Sequence, residues 1–85
     1  MPNKLELYKK KLLYRASYRG TKEMDILLSK FVKKYLDKMN QRELKDLENF
    51  LEFEDEIISN FYNFNKTDEN IDKNSIAKIF KNFKI

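Results

Sequence analysis

Apolar side chains recur along the chain at intervals of three and four rather than at every second position, a spacing that predicts helices and no strands. A single glycine and a single proline leave β-hairpins almost none of the residues they prefer. The expected fold is therefore all-α: a small single-domain bundle of about five helices covering residues 1–85. In a first helix over residues 4 to 18, Leu5, Tyr8, Leu12 and Ala16 share one face, with Leu13 beside them. Lys4, Lys9, Lys10, Lys11 and Arg15 point mostly outward.

Gly20 suits the left-handed position just past a helix end, where a side chain costs about 1 kcal/mol or more. Thr21 can then cap the next helix through its hydroxyl. That second helix, residues 22 to 38, stacks Met24, Leu27, Leu28, Phe31, Val32, Tyr35 and Leu36. Glu23 and Asp25 lie at its positive end, and Lys33, Lys34 and Lys38 at its negative end. Asn40 and Glu43 have the spacing of a capping box, which starts a third helix whose inner face is Leu44, Leu47, Phe50 and Leu51. The acids near Phe53-Glu54-Asp55 are expected to cap a fourth helix carrying Ile57, Ile58, Phe61 and Tyr62. Residues 63–74 read as a polar loop. Residues 75–83 place Ile76, Ile79, Phe80 and Phe83 on one stripe, which either folds back as a fifth helix or frays.

Length and composition narrow the chemistry. A chain of 85 residues buries about 60% of its unfolded surface, enough for one core. Zero histidine and zero cysteine remove the commonest general base, the thiolate nucleophile and nearly every transition-metal ligand set. The expectation is a soluble monomer with no bound metal and no stoichiometric cofactor. The first residues run into an amphipathic stretch without the apolar core of a secretory signal, so a cytoplasmic location is expected, with no membrane insertion.

The net charge of +4 is unevenly spread. Residues 1–38 carry 11 basic and 4 acidic side chains, whereas residues 39–65 carry 2 and 7. This asymmetry fits a nucleic-acid face, an acidic protein partner, or attraction within the bundle itself. Because 15 of the 18 basic residues are lysine, in a composition of the kind AT-rich coding produces, a solvated lysine face is the simplest account of it.

Glycine-rich phosphate loops, Ser-His pairs and Cys-His pairs are all missing. Glu52, Glu54, Asp55 and Glu56 could do acid-base work or hold a cation, but capping and solvated acidity explain them more simply. Tyr14, Arg15, Tyr18 and Arg19 form a basic-aromatic group able to stack on bases or bind phosphate, although tyrosine at helical spacing more often packs. Two of the three arginines lie beside the lone glycine. The bland reading of this corner is an exposed Arg19–Glu23 ion pair contributing well under 1 kcal/mol, whose loss leaves melting nearly unchanged.

The run Arg19-Gly20-Thr21-Lys22-Glu23, followed by Met24-Asp25, resembles the RGxxE signature of the succinate dehydrogenase flavinylation factors, the SdhE-like family. Leu51, Glu52 and Asp55, followed by Asn60 and Phe61, resemble that family's second block. The resemblance covers about residues 5–62. It implies an assembly factor, not an enzyme. Such a factor binds the flavoprotein subunit of succinate dehydrogenase, with the fumarate reductase flavoprotein as a second candidate, and promotes covalent attachment of FAD to a histidine there. FAD is then the partner's cofactor. On this reading Arg19 offers its fork to a partner group, Glu23 accepts from a partner donor, and Gly20 admits the partner's backbone closely. Asp25 orients Arg19 or caps locally, with Arg15 and Tyr18 alongside. The alternative is a basic helical module that binds nucleic acid or the ribosome, and a third reading is a generic helical adaptor.

Overall fold

The computed structural model describes residues 3–66 and 71–84 and places five α-helices, with no strand among the described residues: α1 (Lys4–Ser17), α2 (Lys22–Tyr35), α3 (Gln41–Leu51), α4 (Asp55–Phe64) and α5 (Ser75–Lys81). Four of the five starts have a local side-chain cap. Asn3 accepts from the Glu6 N–H at the head of α1, and the Thr21 hydroxyl accepts from the Met24 N–H at the head of α2. The Asn40–Glu43 capping box is complete, with Asn40 accepting from the Glu43 N–H (2.8 Å) and Glu43 accepting from the Asn40 N–H (3.1 Å).

The second helix ends earlier than its apolar stripe predicts. After Tyr35 the chain tightens into a 3₁₀ turn, Leu36–Lys38, which keeps both Leu36 and Met39 buried. The fourth runs further, through Asn63 and Phe64 of the expected loop, and stops at Asn65 in the left-handed conformation (φ 55°). Residues 67–70 of that loop lie outside the described residues. Just beyond them Ile71 is fully buried, so the segment contributes to the core as well as to the surface.

The core gathers one face from every helix, including Leu12 and Ala16, Phe31 and Val32, Leu47 and Phe50, Ile58 and Phe61, and Ile76 and Phe80. The last stripe folds back instead of fraying. Phe80 stands at the centre of an aromatic cluster, with ring centroids 5.1 Å from Phe31, 5.2 Å from Phe50 and 4.9 Å from Tyr62. Contacts of this geometry contribute about 0.5–1.5 kcal/mol each beyond area burial. Buried Asn74 pins the head of α5. Its carbonyl oxygen caps the N–H groups of Ile76 and Ala77, and its amide donates to the Asp46 carbonyl (2.8 Å) on α3. At the other end the Tyr62 hydroxyl donates to the Phe83 carbonyl (2.6 Å).

Leu5, expected on the inner face, is partly exposed. It overhangs a shallow recess between the first turns of α1 and α3, shared with Tyr8, Gln41, Leu44 and Lys45. Near this recess the Tyr8 hydroxyl donates weakly to the Leu44 carbonyl (3.4 Å), and Lys45 pairs with Glu48 (3.0 Å). Burial and then the Glu48 charge hold the Tyr8 pKa above the ordinary tyrosine value. The Lys45 hydrogen bond holds the Glu48 carboxyl below the usual range, and the Lys45 ammonium is raised in return.

Candidate functional site

The bend between α1 and α2 is built around Arg19. As α1 ends, the Tyr18 N–H donates to the Tyr14 carbonyl (3.2 Å) and the Ser17 hydroxyl bonds back to the Leu13 carbonyl (2.8 Å). The Arg19 N–H donates to the Asp25 carboxylate, so an acid one turn into α2 holds the backbone of the bend. Asp25 thus orients Arg19, one of the two roles the family resemblance implied for it.

The Arg19 side chain turns inward and crosses to the junction of α3 and α4. Its Nε donates to Asp55 Oδ1 (2.7 Å), Nη1 to the Leu51 carbonyl (2.6 Å) and Nη2 to the Phe53 carbonyl (2.6 Å). A planar fork with fixed donors matches three acceptors in this way, and the positive charge sits at the negative end of α3. Only 11% of the Arg19 side chain and 23% of the Asp55 side chain is exposed. The second Asp55 oxygen accepts from the Gly20 N–H (2.7 Å). One carboxylate therefore locks both residues of the Arg-Gly pair to the start of α4.

Four expectations change as a result. Arg19 pairs with Asp55 rather than Glu23, because α4 brings a carboxylate and α3 its terminal carbonyls to the guanidinium. Its fork, expected to face outward, is engaged within the chain at Asp55 and at the Leu51 and Phe53 carbonyls. Asp55 does not cap α4, since both its oxygens serve the Arg19–Gly20 bend, and Glu54 occupies the cap position without a side-chain bond. Gly20 has no positive φ. What requires glycine here is proximity: a Cβ at this position would lie 3.0 Å from Asp55 Oδ2.

The second block divides between scaffold and surface. Leu51 is buried and lends its carbonyl to Arg19, while Phe61 is buried in the core. Asn60 receives the Lys66 N–H (3.2 Å) at the close of α4, and Glu52 ends α3 with its side chain exposed. Facing solvent near the bend are Glu23, Arg15 and Tyr18. Glu23 makes no hydrogen bond or ion pair among the described residues. It stands between two recesses: one of about 310 Å³ lined by Thr21, Met24, Asp55, Glu56 and Ser59, and one of about 270 Å³ lined by Ile26, Leu27 and Tyr62. Together they form a groove between α2 and α4, apolar along its floor and acidic at its rim. Its resources are hydrogen bonding and charge. No group of three or more carboxylates converges on a metal-sized space among the described residues.

A family model described as "Flavinator of succinate dehydrogenase" matches residues 10–84, from the middle of α1 to the end of the described chain. The chain belongs to this flavinator family. Among its relatives, the FAD assembly factor SdhE of Acetobacter pasteurianus is 47% identical over 47 residues, 55% of this chain and 43% of that protein. The mitochondrial succinate dehydrogenase assembly factor 2 of Saccharomyces cerevisiae is 43% identical over 47 residues, 55% of this chain and 29% of that protein. The Aspergillus flavus protein of the same description is 44% identical over 45 residues, 53% of this chain and 15% of its own length. The chain thus spans less than half the length of these relatives. In this member of the flavinator family, the residues that carried the resemblance sort into a part-buried internal clamp, Arg19–Gly20–Asp55 with Asp25, and an exposed carboxylate, Glu23. Nothing in the sequence pattern pairs Arg19 with Asp55, 36 positions apart. The one available signal was an arginine beside a lone glycine, with a second acid already at hand to begin α4. No described helix is long and apolar enough to cross a membrane.

Proposed function

We propose that this chain is a non-catalytic assembly factor that binds the flavoprotein subunit of succinate dehydrogenase and promotes covalent attachment of FAD to a histidine of that subunit. The fumarate reductase flavoprotein is a second candidate client. The observation that carries this reading is the clamp, which ties down the bend and leaves Glu23 without a partner among the described residues at the mouth of the α2–α4 groove, in a chain of the flavinator family. A rigid corner loses little entropy on docking, so Glu23 can meet a cationic or N–H donor of the partner in a fixed geometry. With no histidine or cysteine of its own, the factor contributes positioning. It holds the flavoprotein so that flavin, target histidine and the flavoprotein's own groups are aligned. FAD is the cofactor of the partner, and the factor acts as a cytoplasmic monomer without nucleic acid or membrane insertion.

The test is co-expression with the flavoprotein subunit in a host lacking its own factor, reading the flavin fluorescence that survives denaturing electrophoresis. Glu23→Ala should lower the covalent flavin yield severely, Glu23→Arg should abolish it, and both variants should stay folded, with Glu23→Arg melting only some degrees lower because it reverses a charge at the positive end of α2. Full flavinylation with Glu23→Arg would overturn the assignment.

A further inference from the structure

α1 carries apolar side chains on two opposite faces. Leu12 and Ala16 are buried in the core, whereas Leu7, Tyr14 and Tyr18 stand in solvent at 49%, 65% and 70% exposure. At 3.6 residues per turn these three fall within about 40° of one another and roughly opposite Leu12 and Ala16. The two tyrosine rings are already stacked, with centroids 4.5 Å apart. Exposed Lys4, Lys10, Lys11 and Arg15 flank the ridge, and the one acid of α1, Glu6, lies about 80° around the helix from the ridge's nearest member.

Such a ridge weakens an isolated soluble chain and favours a bound one. Tyrosine and arginine dominate binding hot spots, and a pre-stacked pair with few rotatable bonds loses little entropy on contact. The cationic frame selects an acidic occupant. With one aliphatic side chain beside two hydroxyl-bearing rings, the ridge has little to insert into a bilayer. The two rings are also inclined at 36° to each other rather than parallel, which makes a poor platform for successive stacked nucleobases. The ridge runs directly into the Arg19–Gly20 bend, because Tyr18 is its last member. From Leu7 to Tyr18 it rises about 16 Å, the span of about five extended residues.

We propose that this ridge is a second docking strip, which receives an acidic segment of the flavoprotein subunit bearing an apolar or aromatic side chain between its carboxylates. The strip rests on the functional reading above and extends the same interface along α1.

The test titrates purified full-length chain against the apo flavoprotein subunit at low and high salt, comparing the parent with Tyr14→Ala/Tyr18→Ala, Lys10→Gln/Lys11→Gln/Arg15→Gln and Glu23→Arg. All the replaced side chains are exposed, and circular dichroism melts confirm that each variant folds. The tyrosine pair should weaken binding about 30-fold or more. The cation triple should weaken binding at low salt and flatten its salt dependence. If Glu23→Arg loses binding while both ridge variants bind like the parent, the strip is refuted and the functional reading stands. If the parent itself does not bind the flavoprotein, both fall. If the ridge variants instead lose binding to single-stranded RNA or to anionic phospholipid vesicles, with flavoprotein affinity unchanged, the occupant assigned here is wrong.

Discussion

Arg19→Ala should unfold this protein at a markedly lower temperature, contrary to what an exposed corner pair would give. The truncation removes three side-chain hydrogen bonds, to Asp55 Oδ1 and to the carbonyls of Leu51 and Phe53, from a side chain that is 11% exposed. Charge-assisted hydrogen bonds contribute about 1.5–3 kcal/mol each, but water can reach the two freed carbonyls once the guanidinium is gone. Counting about 1 kcal/mol for each carbonyl and a similar amount for the half-buried Asp55 left unpaired gives about 3 kcal/mol in all. For a domain of this size each kcal/mol shifts the melting temperature by about 4–8 °C, so the expected fall is roughly 12–24 °C.

The assay is thermal and urea unfolding followed by circular dichroism at the helix band. Arg19→Lys should recover less than half of the loss, because one ammonium cannot serve three separated acceptors. A double-mutant cycle with Asp55→Ala should return a coupling of about 1.5 kcal/mol. A melting point for Arg19→Ala within about 3 °C of the parent, or strict additivity with Asp55→Ala, would refute the clamp.

Gly20→Ala should cost about 1–2 kcal/mol by pushing Asp55 off the bend, and should become nearly neutral in an Asp55→Ala background, which separates crowding from backbone strain in paired urea titrations. Asn74→Ala should destabilise by about 2 kcal/mol, since it removes the α5 cap and the bond to the Asp46 carbonyl together; loss of hydrogen-exchange protection confined first to α5 would report it. The Tyr8–Lys45–Glu48 group sets two pH limits. Glu48 has a lowered folded pKa, so its contribution is complete above the ordinary glutamate value and fades as pH falls through the folded one, whereas Tyr8 and Lys45 have raised values, so theirs is complete below pH 10 and fades as pH rises through the folded ones. Glu48→Gln should shrink both slopes in a plot of urea midpoint against pH.

Helix positions were legible wherever a local rule governed them. The Asn40–Glu43 box and the Thr21 cap act between residues three apart, so their spacing alone marked where α3 and α2 begin. Stripes were legible too, except at Leu5, which has the right period but no element over it at the start of α1. Long-range pairing left no trace in the pattern. Asp55 at the head of a helix looks like a cap because a local rule knows only local donors, and its true partners arrive from 35 and 36 residues away. Buried Asn74 was hidden for the same reason, since its second bond crosses to α3. The family resemblance singled out Arg19, Gly20, Glu23 and Asp25 as a group and gave Arg19, Gly20 and Glu23 alike a partner-facing role. Only the geometry divides it, turning Arg19 inward and leaving Glu23 outside.

That division says what a partner can read. The two blocks of resemblance meet at one carboxylate, and a contact closing a loop of some 35 residues persists only when α1 to α4 are packed, because loop closure must be offset by the rest of the core. The bend is therefore ordered only in the folded bundle, and Glu23 follows it in the first turn of α2. Substitutions within the clamp should therefore lower the melting temperature far more than substitutions at exposed Glu23. A surface already fixed before encounter lowers the orientational cost of docking, which is the advantage such a bend offers.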